Sequence, residues 1–110
     1  MALPRPYRLK KETDFKHVFK RGKTVRGSFL FAKFIKSDLA HPRCGFVVSQ
    51  RVAPKASKRN AIRRTLTETA QGYFTGIKRG YDIVIVVTKV PADLADLKGD
   101  LAAIFNKANL

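Results

Sequence analysis

A chain of 110 residues with 45% apolar content can bury one modest core, which excludes a disordered basic tail. Its 23 Lys+Arg against 8 Asp+Glu leave a formal charge of +15, and so strong an excess implies a polyanionic partner. No uninterrupted apolar run exceeds five residues, too few to span a bilayer, and the single Cys44 excludes an internal disulfide or an all-cysteine metal site.

The opening MALPRPYRLKKETDFK has no apolar h-region, so it does not read as a secretory signal and the expected compartment is the cytoplasm. Residues 1–12 contain prolines and cations and are expected to be extended or flexible. Thr13 or Asp14 can cap a short helix that stops at Gly22. Within it Phe15, Val18 and Phe19 share one face, surrounded by Lys16, Lys20, Arg21 and Lys23. Aromatic and β-branched content predicts a strand over 28–36, then a turn with Asp38 and Pro42. A second strand is predicted over 43–50, antiparallel to the first by proximity. Pro54 ends the extended region.

Residues 55–71 predict a helix ending at Gly72, with an apolar face of Ala56, Ile62, Leu66, Thr69 and Ala70. Continuous apolar residues in 80–89 predict a central strand buried on both faces. Leu94, Leu97, Leu101, Ile104, Phe105 and Ala108 follow the helical period over 93–108. The order helix, strand, strand, helix, strand, helix is a single small α+β layer domain. Its strand–helix–strand segment can place the last strand parallel to a neighbour.

The charge is segregated. Residues 1–64 hold 18 Lys+Arg and 3 Asp+Glu, whereas residues 65–110 hold 5 of each, so the first 64 residues carry all of the excess. An anionic membrane surface fits poorly, because no long helix with an apolar face accompanies the cations. In the 55–71 helix, Lys55, Lys58, Arg59, Arg63 and Arg64 crowd the N-terminal half, where the helix dipole disfavours cations. A bound phosphate would relieve that cost.

Self-sufficient catalysis has few candidates. His17 and His41 could serve as acid and base of a ribonuclease, but neither has a partner at metal-ligand spacing. Cys44 reads as a small buried hydrophobe. The acids are scattered, and no phosphate-cradling glycine motif is present. Aromatics flanked by cations are the better signal: Phe15, Phe19, Phe29, Phe31 and Phe34 can stack unpaired bases while Lys and Arg hold phosphates. The same rings can equally serve as core.

The most specific stretch is GFVVSQRVAPKASKRNAIRR, residues 45–64. It resembles the signature of the bacterial ribonuclease P protein component: a Gly-apolar strand, a Ser, a basic pair, then a helix carrying Arg-Asn-Arg-x-x-Lys-Arg. The early FKHVFK (Phe15 to Lys20), the following strand, the Asp-apolar strand at 82–87 and the C-terminal amphipathic helix occur in family order, so the resemblance covers nearly the whole chain.

That resemblance implies an α/β sandwich like the second domain of a small-subunit ribosomal protein, with a left-handed βαβ crossover. It implies a subunit of the ribonucleoprotein that removes the 5′ leader of precursor tRNA. The chemistry would belong to the RNA subunit and its Mg²⁺, with no catalytic or metal-binding residue and no organic cofactor assigned to the protein. The implied partners are ribonuclease P RNA and the precursor tRNA leader, with neither membrane nor DNA. Arg59, Asn60, Arg63 and Arg64 match the family motif and would contact the catalytic RNA, supported by Lys55 and Lys58. Phe15, Phe19, Ser49 and Arg51 match the leader-binding cleft. Phe31 is taken as the first-strand contribution, although Ala32 and Phe34 also fit that position. Ala61, Gln50 and Thr67 stand where the family commonly has basic residues. A structural RNA-binding protein of ribosomal type is the alternative, and a DNA-binding module lacks the helix pair it would need.

Overall fold

Ile83, Ile85 and Val87 alternate with Val84 and Val86, so the strand that carries them needs cover on both sides. The computed structural model, which describes residues 5–74, 76 and 80–108, meets that need with layers of helix on both faces of a four-stranded sheet. The strands are β1 (Lys23–Arg26), β2 (Leu30–Lys36), β3 (Arg43–Val47) and β4 (Tyr81–Val87), in spatial order β1-β2-β4-β3. The helices are α1 (Glu12–Arg21), α2 (Ala56–Phe74) and α3 (Ala95–Ala108). Ile62, Leu66 and Ala70 of α2 and Leu97, Leu101, Ile104 and Phe105 of α3 pack with Leu30, Ala32, Ile83, Ile85 and Val87 on one face. On the other face Val18 of α1 and Leu9 bury Val84, with Phe15, Ile35, Val47 and Val86 around them.

The expected antiparallel pairing of the 28–36 and 43–50 strands does not occur. β4 lies between them, antiparallel to β2 and parallel to β3. Proximity in sequence loses to burial, because the strand with the continuous apolar run Ile83–Val87 takes the central position. The β3–α2–β4 crossover is left-handed. Thr88 N–H donates to the Phe29 carbonyl (2.9 Å), so the peptide groups of Val84 and Val86 face β2. With L residues whose side chains point toward α1, β4 then lies to the left of β3 seen from the α2 side, against the usual preference.

Other boundaries moved for local reasons. β1 was not legible: KTVR is short, basic and exposed, as suits an edge strand. α1 starts one turn early, with Lys11 at its N-cap and no side-chain cap; Thr13 and Asp14 sit inside its first turn. α2 runs through the exposed Gly72 to Phe74, because Tyr73 stacks on Phe105 of α3 and Phe74 packs edge-on against the same ring. Thr67 joins its buried face while Ala56 is exposed. Of the segment expected to be extended or flexible, residues 7–9 are docked on the body of the protein, and residues 1–4 lie outside the described residues. Tyr7 packs on Phe74, Leu9 N–H bonds the Cys44 carbonyl (3.0 Å), and Leu9 is buried on the opposite face. This segment therefore wraps the β3 edge and covers it.

Asp100 of α3 ties the β1–β2 connection to the helix layer. Its carboxylate accepts the backbone N–H groups of Ser28 (2.7 Å), Phe29 (2.9 Å) and Leu30 (3.2 Å). A Cβ on Gly27 would stand 2.5 Å from both carboxylate oxygens, so any larger residue there would displace the Asp100 carboxylate from these bonds. Asp100→Ala removes three charge-assisted bonds and is expected to cost about 2 kcal/mol of stability. Thermal unfolding should show a fall of roughly 10 °C in Tm for a domain of this size.

Candidate nucleic-acid interface

α1 crosses the sheet face opposite α2 and α3, and its seat is set by a glycine. Phe15 lies directly on Gly45 of β3, where an added Cβ would come within 2.3 Å of the ring. Val18 is fully buried against Val84, while Phe19, one position further round the helix, remains 38% exposed. The three residues share a face, yet only Val18 is wholly core.

An ionic cluster fixes α1 to the strands. Arg43 Nε donates to Asp82 Oδ1 (2.9 Å), and its Nη2 donates to Asp82 Oδ2 (2.7 Å). Its Nη1 lies 3.6 Å from Asp14 of α1. Asp82 is only 6% exposed, so this fork satisfies a carboxylate that would otherwise be costly to bury. The Asp82 hydrogen bond holds the Arg43 guanidinium above its ordinary value, outweighing desolvation. The stability it contributes is present below that range and is lost only far above neutral pH.

A groove of about 540 Å³ runs between β3 and α2. Phe15 lines it from α1, Asn60, Arg63 and Arg64 from α2, and Arg8 and Lys10 from the N-terminal segment. No Asp or Glu lines it. The first turn of α2 has no acidic residue either, and Lys55, Lys58, Arg63 and Arg64 form no ion pair among the described residues. Lys55 and Lys58 therefore add to the positive end of the helix dipole without internal compensation, and Arg63 and Arg64 extend the positive charge further along the helix. Such a donor set suits phosphate and does not fit a divalent cation.

Of the remaining sequence candidates, Phe19, Phe31, Ser49, Arg51, Lys55, Lys58 and Arg59 do not line this groove. Arg59 does not project beside Arg63: its Nη1 donates to the carbonyls of Ala53 (2.9 Å) and Pro54 (2.8 Å), fixing the loop that leads into α2. Ser49 Oγ accepts Val52 N–H in that loop, and Arg51 is exposed at its tip. Phe31 is half-buried on the α1 side of the sheet, with Arg26 of β1 over its ring at 5.4 Å. Ala32 and Phe34 point to the α2–α3 side, which leaves Phe31 as the first-strand aromatic on the α1 face. Ala61 is half-buried, and Thr67 is buried at the groove wall. Arg8, Lys10 and Arg26 were missed as individuals; their signal was only membership of the basic first half. The histidines go separate ways: His17 is exposed on α1, and His41 packs edge-on against Tyr7. Burial pushes the Cys44 thiol well up, so it is unreactive.

A mixed sheet with helices on both faces and a cationic, carboxylate-free groove beside a half-exposed ring defines a small nucleic-acid-binding α/β protein. The family model described as ribonuclease P matches residues 3–109. A ribonuclease P protein component from Synechocystis is 39% identical over 88 residues, 79% of this chain and 71% of that protein. One from Pseudanabaena is 33% identical over 111 residues, covering 98% and 96%. The solved ribonuclease P protein of Thermotoga maritima superposes with a TM-score of 0.79 at 26% identity, covering 91% of this chain and 96% of that one. The chain belongs to the ribonuclease P protein family. Its activity is that of an endoribonuclease subunit in tRNA processing, within a ribonucleoprotein that requires a divalent metal and has an RNA partner. Among the described residues no helix is long and apolar enough to cross a membrane.

Gly45→Ala is expected to lower stability by about 1–3 kcal/mol, the usual cost of overpacking. Calorimetry would read that loss, and the Phe15 ring resonances should shift while those of Phe105 stay in place.

Proposed function

We propose that the protein binds ribonuclease P RNA through the start of α2 and holds the 5′ leader of precursor tRNA on the α1 side of the sheet, in the cytoplasm. Arg63, Arg64, Lys55 and Lys58 supply phosphate contacts, and Asn60 adds a sugar or phosphate contact. Arg59 shapes the approach to the helix with one nitrogen and offers Nε and Nη2 to RNA. Phe15, Phe19 and Phe31 provide base-stacking surfaces, with Ser49 and Arg51 at the end of β3. Mg²⁺, held mainly by the RNA subunit, supplies the hydrolytic chemistry, and this chain orients RNA and leader beside it.

The observation that supports the reading best is the shared groove: Phe15 lines the same wall-to-wall space as Asn60, Arg63 and Arg64, with no carboxylate among them. A single strand leaving the catalytic RNA at α2 thus meets a ring surface at once. Stacking reads base faces, so leader binding is sequence-tolerant.

Cleavage of a leader-bearing precursor tRNA by ribonuclease P RNA at low Mg²⁺ is the direct test. Added protein should restore cleavage at the mature 5′ end, and protein alone should give none. Phe19→Ala avoids the packing role of Phe15. It should weaken binding of long-leader substrate by ~1–3 kcal/mol and leave leaderless tRNA unaffected. Equal losses on both substrates would remove Phe19 from the leader path. Arg63→Gln with Arg64→Gln should lower the slope of log K against log salt by roughly 0.7–0.9 per cation lost.

A further inference from the structure

A second basic groove, of about 750 Å³, lies at the other edge of the sheet. Arg21 ends α1, Lys23 begins β1, Lys36 ends β2 and Lys107 occupies the last turn of α3, and all four line it. Its floor is a pair of half-buried rings, Phe34 and Tyr81, edge-to-face at 6.2 Å. The register sets Lys23 opposite Phe34 and Lys36 opposite Tyr81, so each ring has a cation as its cross-strand neighbour on the same face. No Asp or Glu lines the groove, and none of the four cations forms an ion pair among the described residues. The Tyr81 hydroxyl has no partner among them either.

Local rules account for some of this. Cations are favoured at the ends of α1 and α3, and a lysine on β1 discourages edge-to-edge pairing. None of those rules gathers four cations from four elements over two rings with no counter-charge. Their mutual repulsion is a cost that a bound polyanion removes, and the rings suit the unpaired bases of a single strand.

We infer that this groove is a second site for single-stranded RNA, in which Arg21, Lys23, Lys36 and Lys107 hold phosphates and an unpaired base rests on Phe34 and Tyr81. The inference rests on the RNA-binding reading above and adds a second segment to it. The two grooves have no lining residue in common. The first groove lies along β3 and the second takes in β1, the two edge strands of the sheet. One protein thereby bridges two RNA segments, and each raises the effective concentration of the other.

The test uses the full chain and an eight-nucleotide oligouridylate carrying 4-thiouridine, with crosslinks mapped by mass spectrometry. Crosslinks should fall in two sets of peptides, one holding Phe15 and one holding Phe34 or Tyr81. Lys36→Gln with Lys107→Gln changes two exposed side chains, so the melting curve should not move. That pair should remove the second crosslink set, keep the first, and reduce the salt slope by ~1.4, at 0.7 per cation on a single strand. Absence of the second set from the unmodified protein, or an unchanged salt slope in the variant, overturns the inference. Arg63→Gln with Arg64→Gln runs in parallel: if that pair also leaves binding intact, the RNA-binding reading itself fails. Repeating the titration with ribonuclease P RNA alone and with precursor tRNA alone identifies which one supplies the second segment. Unchanged affinity for both would likewise overturn the site.

Discussion

β4 presents Ile83, Ile85 and Val87 to one side and Val84 and Val86 to the other, so neither face of the sheet can be left to water. Two helices cover the first face, and one helix of ten residues covers the second. A single helix about 10 Å across cannot shield what two helices shield opposite. Phe31, Val47 and Val86 consequently stay half-buried beside α1, and Phe15 is covered on its Gly45 side while still lining a groove. The concave surface beside α1 thus follows from how unequally β4 is covered.

The cations divide by what they already hold. Arg43 neutralises the buried Asp82 and reaches Asp14, Arg59 pins the carbonyls before α2, and Lys33 donates to the Phe19 carbonyl. These fix the strand, loop and helix from which the groove is made. Lys55, Lys58, Arg63 and Arg64 have no such ion pair, and Lys55 and Lys58 stand at the helix end whose dipole opposes them. Stability would favour acids there. Cations in their place fit the anionic ligand proposed for this surface, the common conflict between folding and binding.

Much of the site was legible because it rests on local rules. Periodicity placed Phe15, Val18 and Phe19 on one face, and the helix signals placed Arg63 and Arg64 in the N-terminal half of a helix. The different fates of those aromatics were not legible, because they depend on Gly45 of β3 passing beneath one ring and not the other. Arg59 and Arg63 stand four apart in the helix, yet their heads are placed differently for a similar reason. Helical spacing aligns the two stems, but the carbonyls of Ala53 and Pro54 draw one guanidinium back. β1 escaped notice because an exposed edge strand needs few apolar residues, and KTVR has one.

The sequence alone determined the basic excess of the first 64 residues, the helices and main strands, the central rank of the 81–87 segment, and the family membership. Composition and periodicity are local properties, readable one element at a time. Only the tertiary structure decided that β4 parts β2 from β3, that the N-terminal segment wraps the β3 edge, and that Phe15 shares a groove with Arg63 and Arg64. It alone gathered Arg21, Lys23, Lys36 and Lys107 around Phe34 and Tyr81. These are contacts between residues far apart in the chain. They form because an apolar strand must be covered on both faces, a demand that acts on the whole chain at once and leaves no mark in any single window of sequence.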